Sequence, residues 1–228
     1  MCSIARPDKA YRMTSQLDLA ALLCSRLCHD MLSPVGAVNN GLELLADEKD
    51  PEMRRRCMEL LEQSARASAD RLKFFRLAFG AAGGFGEAVP TEEPQQLIES
   101  LVEANERLEL EWAVAESHLS KPAVKTLLNL AAIGLDALVR GGVLAIGAET
   151  RDGQTEIAIR ASGPKVAFDP NVGKALDGTL DEDDLSGRTA PAHMIRLLTQ
   201  EMNGGVQYAA TPDALVMGAV LPAPELIG

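Results

Sequence analysis

The chain predicts an α+β fold, in which an N-terminal antiparallel helical hairpin forms a dimeric four-helix bundle and an α/β sandwich follows it. Three observations carry this. Apolar residues recur at helical spacing as far as about residue 80. Behind a linker containing Gly and Pro, period-two segments alternate with helical ones. Aromatics make up 4% of the 228 residues, which favours helices packed with Leu, Ala and Val over an aromatic-rich β-sandwich.

Residues 1–16 form a polar tail, expected to be flexible and without the apolar h-region of a signal peptide. From Leu17 to about Asp47, apolar residues fall at Leu23, Leu27, Met31, Val35, Val38, Leu42 and Leu45, along one helical face. Asp50-Pro51 starts a second helix, with Asp50 as N-cap and Pro51 at the first helical position. Its face runs Met53, Cys57, Leu61, Ser64, Ser68, Leu72, Phe75 and Phe79 and stops at Gly83-Gly84. Two such helices joined by a short turn have one seam to bury. The small residues Ala65, Ala67 and Ala69 would let a second hairpin approach, so a four-helix bundle of two chains completes the burial. The hairpin unit is placed at 17–84 and the second unit at 85–228.

In the second unit, residues 85–94 read as a linker and Pro94 to Asn105 as a helix. Leu108 to Val114 alternates as a strand, with Trp112 as a core position. Lys121 to Val139 reads as a helix ended by Gly141-Gly142. Val143 to Glu149 and Glu156 to Arg160 flank the hairpin turn signal Arg151-Asp152-Gly153. An acidic loop, Asp177 to Gly187, precedes a helix from Pro191 to Met202. Two strands, Val206 to Ala210 and Leu215 to Leu221, close the chain. Helices are expected to cover one face of the sheet.

A net charge of -11 argues against nucleic acid and against an anionic membrane surface, since both are held by clustered Lys and Arg. No stretch approaches the ~20 apolar residues of a membrane span. Cys24 and Cys28 are expected as buried small hydrophobes in a reducing compartment; a metal site with His29 would need a second ligand pair, and the sequence has none. The chain is expected to be cytoplasmic.

One histidine stands apart. His29 lies two positions from both Leu27 and Met31, so at ~100° per residue it points away from the seam. Asp30 follows it. Pro34, well inside a strong helix, removes the N–H that would bond to the Asp30 carbonyl and costs about 3 kcal/mol, with a kink expected just past His29. An exposed imidazole, with an ordinary pKa of about 6.5, is mostly neutral near pH 7 and attacks phosphorus through one nitrogen. A neighbouring carboxylate holds the other N–H and offsets the charge that develops. Arg26, three residues earlier, is positioned to help neutralise an incoming phosphoryl group. Phosphoryl transfer needs little beyond alignment and charge stabilisation.

The run Leu27-Cys28-His29-Asp30-Met31-Leu32-Ser33-Pro34 resembles the H-box of sensor histidine kinases. Together with Ser25-Arg26, Gly41-Leu42-Glu43-Leu44-Leu45 and Arg76-Leu77-Ala78-Phe79-Gly80-Ala81, it is similar to the alphaproteobacterial histidine phosphotransferases of the ChpT family. That resemblance implies a homodimer through the hairpin and a second unit shaped like the ATP-binding domain of histidine kinases. It implies phosphate taken on His29 from the receiver domain of a hybrid kinase and passed to response regulators that govern the bacterial cell cycle. Receivers would dock beside Arg26, His29, Ser33 and Gly36, bringing Mg²⁺ and the acyl phosphate themselves.

Kinase motifs in the second unit are incomplete. Asn129 matches the first of two asparagines four apart, and Ile133 replaces the second, which holds metal. The segment whose Asp binds adenine reads Ala161-Ser162-Gly163-Pro164-Lys165, and the phosphate loop reads Gly187-Arg188-Thr189-Ala190. The chain is therefore expected to bind neither ATP nor another cofactor. Two rivals are an active histidine kinase, betrayed by ATP binding, and a non-catalytic adaptor for receivers, unaffected by His29→Ala. His193, near Arg188, is expected to be structural or exposed, His118 to lie in a polar loop, and Asp181-Glu182-Asp183-Asp184 to be solvated.

Overall fold

A computed structural model of the chain describes residues 16–80 and 88–223. The N-terminal tail as far as residue 15, the Gly83-Gly84 stop and the expected boundary at 84/85 lie outside the described residues. Helix α1 (Gln16–Asp47) and helix α2 (Pro51–Phe79) form the hairpin. Its turn is tied at both ends. Asp50 Oδ1 accepts from the amides of Glu52 and Met53, each at 2.9 Å, and Arg54 Nη1 donates to the carbonyls of Leu45 and Glu48 at 3.1 and 2.8 Å. Donors at the start of α2 and acceptors at the end of α1 are thus both satisfied.

On α1 the seam sits one position away from the expected one, while on α2 the expected Cys57 and Ser64 are in it. Pro34 and Gly41 on α1 and Cys57 and Ser64 on α2 are buried, while Phe74 and Ala78, the other buried residues of α2, belong to the core of the second unit. Within each helix the two seam residues are seven apart, the repeat that keeps two helices in register. Gly41 permits the approach: a Cβ there would lie 2.9 Å from Leu61 Cδ2. Val35, Leu42, Met53 and Leu72, expected in the seam, are instead exposed, at 54% for Leu42 and 50% for Leu72. Cys24 and Cys28 are exposed as well, and only Cys57 of the described cysteines is buried. An unbroken apolar face is wider than one seam, and these residues flank it.

The second unit begins with strand β1 (Ala88–Pro90) and helix α3 (Glu92–Glu103). Strand β2 (Leu108–Val114), strand β3 (His118–Ser120) and helix α4 (Lys121–Ala137) follow. Strands β4 (Gly142–Arg151) and β5 (Gln154–Ser162) form the predicted hairpin. Asp152 and Gly153 at its tip both have positive φ, 53° and 75°, as a two-residue turn matched to strand twist requires. Helix α5 (Pro170–Asp177), a 3-10 turn (Glu182–Asp184), helix α6 (Ala190–Glu201) and strands β6 (Gly205–Ala210) and β7 (Ala214–Pro222) complete the unit. The five-stranded sheet runs β2-β4-β5-β7-β6, with β2 and β4 parallel and the remaining pairs antiparallel. Alternate residues of β5 are buried, because helices cover one face.

Three features were not expected. β1 pairs with β3, so His118 lies on an edge strand opposite Pro90 rather than in a loop. Part of the expected linker is therefore structured. Helix α5 is the third, capped by Asp169 at its start and by Gly178, with φ of 73°, at its end. Trp112 packs against the core, as expected.

The two units share one core. Phe74 and Ala78 of α2 belong to the same buried cluster as Leu127, Ile146 and Met217. Asn129 of α4 is fully buried, and its Nδ2 donates to the carbonyl of Ala78 at 3.3 Å and to that of Lys125 at 2.8 Å. Ser100 Oγ of α3 donates to Asp70 Oδ2 of α2 at 2.8 Å. The sheet unit is bolted to the far end of the hairpin.

Candidate functional site

His29 is 84% exposed on α1, turned away from the seam, as its spacing requires. Its Nδ1 lies 3.1 Å from Asp30 Oδ1. An ionised carboxylate only accepts, so the ring proton belongs on Nδ1 and Nε2 keeps its lone pair. The second oxygen of Asp30 accepts from Arg26 Nε at 2.8 Å, and Arg26 Nη2 continues to Asp136 Oδ2 of α4 at 2.9 Å. A line of contacts therefore runs from the imidazole through Asp30 and Arg26 into the second unit. Burial opposes the Arg26 charge, but Asp136 and Asp30 together raise its pKa above the ordinary value.

Arg26 thus holds the two units together with the donors it was expected to offer a phosphoryl group. Pro34 lies inside α1, which is helical on both sides of it. The Asp30 carbonyl that Pro34 deprives of a helical donor accepts from Arg71 Nη1 of α2 at 3.0 Å. Ser33 is exposed beyond His29, and space around Gly36 is open, with nothing within 4 Å of a Cβ placed there.

The groove at His29 has two walls. Ser25, His29 and Asp30 form one, while Asp136, Gly187 and Arg188 of the second unit form the other. Gly187 passes close to α1, since a Cβ there would lie 3.3 Å from the carbonyl oxygen of Leu22. Arg188 Nε pairs with Asp169 Oδ2 at 3.2 Å.

Three participants escaped the sequence reading. Arg71 carried a signal, since it continues the seven-residue spacing of Cys57 and Ser64, where a charge requires a partner. Asp136 and Gly187 carried none, because they meet α1 only through the fold.

Asn129 and Ile133 lie on the inner side of the same junction. A cavity of about 250 Å³ is lined by Asn129 and Ile133 of α4, by Phe168, and by Phe74, Phe75 and Phe79 of α2. Ala161, expected from the sequence to stand at the adenine-binding position, is fully buried in the core. His193 is half-buried on α6. Burial and the charge of Arg196 lower its pKa against an opposing pull from Glu182. His118 is exposed beside Ser117, its ring Nδ1 3.2 Å from Ser117 Oγ. No cluster of three or more metal-ligating side chains occurs among the described residues. No helix among them is long and apolar enough to cross a membrane.

A helical hairpin with an outward His–Asp pair, joined to an α/β unit, has the architecture of a phosphotransfer protein. Comparison with known proteins narrows the class. Residues 91–214 match the family described as the histidine phosphotransferase C-terminal domain. The protein phosphotransferase ChpT of Brucella abortus (strain 2308) is 38% identical over 205 residues, covering 90% of this chain and 96% of that protein. A solved bacterial phosphotransferase superposes with a TM-score of 0.78 at 36% identity, covering 91% of this chain and 98% of the other. The chain belongs to the histidine phosphotransferase family of ChpT.

Proposed function

We propose that the chain is a relay station of a two-component phosphorelay. His29 accepts a phosphoryl group from the aspartyl phosphate of a hybrid kinase's receiver domain and passes it to the receiver aspartates of response regulators. The exposed His29 ring against Asp30 at 3.1 Å is the observation that carries this reading.

In the forward step the Nε2 lone pair forms the N–P bond as the P–O bond to the receiver aspartate breaks, and the carboxylate leaves. Nε2 has no proton to lose, and Nδ1–H stays with Asp30, whose charge offsets that of the phosphorylated ring. The reverse sequence loads the next receiver. Mg²⁺ belongs on the receiver. Ser33 and Gly36 give the receiver a low surface to approach, and Arg26 serves that surface as a clamp behind Asp30. With Ile133 in place of a metal-binding Asn and phenylalanines of α2 lining the cleft, the second unit carries no ATP site, and phosphate comes from another protein.

The same reading includes a cytoplasmic homodimer. Leu17, Val35 and Leu42 on α1, and Met58 and Leu72 on α2, are exposed. On each helix they lie about 100° around from the seam in the same sense. In antiparallel helices that places both sets on one flank of the hairpin, where a second copy buries them.

The test is incubation with a phosphorylated receiver domain. Acid-labile, alkali-stable phosphate is expected on the wild-type chain and not on His29→Gln. No label on the wild type, or persistent label on the variant, refutes the reading.

A further inference from the structure

Resting on the reading of His29 as the phosphoacceptor, we propose that Arg188 is the cation that meets the phosphoryl group in transfer, so that the second unit supplies part of the transfer site.

The charges around the groove lead there. Asp30 and Asp136 are two carboxylates, and Arg26, 21% exposed, is held between them at 2.8 and 2.9 Å. Those three groups leave a net negative charge beside His29. A phosphoryl group brings roughly −1.5 to −2 more. Arg188 is the other cation lining the groove among the described residues.

Its placement suits the task. Arg188 is 60% exposed, and its Nε pairs with Asp169 Oδ2 at 3.2 Å. A guanidinium fork addresses two phosphoryl oxygens at once. The loop that presents it is held on both sides. Gly187 abuts the Leu22 carbonyl, and the Ser186 amide donates to Thr189 Oγ1 at 2.9 Å. During transfer Arg188 forms no covalent bond and moves no proton. It offsets charge on the phosphoryl oxygens while the Nε2–P bond forms and the receiver's P–O bond breaks.

The experiment measures phosphoryl transfer from a phosphorylated receiver to the full chain, with receiver concentration varied to separate maximal rate from half-saturation. Arg188→Gln is expected to lower the maximal rate at least ~10-fold with a smaller change in half-saturation, and Arg188→Lys to recover part of it. Asp169→Asn keeps an Asn cap on α5 but removes the ion pair, and is expected to transfer at the wild-type rate or faster. Wild-type rates in Arg188→Gln overturn the proposal. So does an equal loss in Asp169→Asn, which would assign Arg188 a structural role. If the wild-type chain takes no label, the His29 reading fails and this inference falls with it; if it does, the inference stands or falls by Arg188 alone.

Discussion

Arg71 on α2 donates to the main-chain carbonyl of Asp30 on α1 at 3.0 Å, closing the gap that Pro34 opens in the helix. A proline four residues on removes the N–H that would otherwise satisfy that carbonyl. The second helix therefore supplies the missing donor one residue from His29, and the backbone under that imidazole depends on the partner helix.

The first prediction concerns that pair. Arg71→Met should destabilise the chain by roughly 1–3 kcal/mol, because a half-buried carbonyl loses its partner. In a Pro34→Ala background the same change should cost less, since residue 34 then donates within the helix. A double-mutant cycle by urea unfolding reads the difference. Equal costs in both backgrounds would show that Arg71 matters for another reason.

Asp30 fixes the tautomer of His29 and also anchors Arg26. Asp30→Asn should slow phosphoryl uptake about 10²-fold while leaving the site of label unchanged. Single-turnover labelling by a phosphorylated receiver measures it. A wild-type rate would show that the carboxylate does not assist the ring.

The exposed flank of the hairpin predicts its own disruption. Leu42→Glu with Leu72→Glu should convert a dimer to a monomer with helix content retained, because both charges would face a buried seam. Light scattering and far-ultraviolet circular dichroism decide it. An unchanged mass places the interface elsewhere.

A pH effect follows from His193, whose pKa in the folded chain is lowered, first by burial and then by Arg196. The folded state binds this proton less readily than the unfolded one. Stability from this group is therefore complete above the unfolded value of about 6.5 and is lost as pH falls from there through the lower folded value. His193→Gln should flatten the stability profile in that window. A profile with the same slope in the variant would remove His193 from the account.

Much of this was readable in the residues. The period-two run at Leu108–Val114, the Asp152-Gly153 turn and the Asp50-Pro51 start each declare an element by local chemistry. His29 was legible too, because a polar residue half a turn off an apolar face must point outward. The exact seam was not. Val35 and Leu42 continue the α1 face as well as Pro34 and Gly41 do, and periodicity does not say which part of a wide face meets α2. Burying the small residues brings the helix backbones closer together. Helix α5 was signalled by Asp169-Pro170 and Gly178, but its eight residues are too few for the pattern to stand out. The β1–β3 pairing and the Arg26–Asp136 contact join distant parts of the chain, beyond the reach of any local pattern.

The bond from Asn129 to the Ala78 carbonyl has a consequence for how such a chain works. An enzyme that phosphorylates its own histidine has to carry its nucleotide over to that histidine, and needs a joint loose enough for the journey. Here the end of α2 is embedded in the neighbouring core, with Ala78 fully inaccessible. What would be a swinging arm is a bracket. Under the proposed relay, a visiting receiver would meet a pre-set profile on either side of the imidazole, and selection among receivers would rest on shape rather than timing.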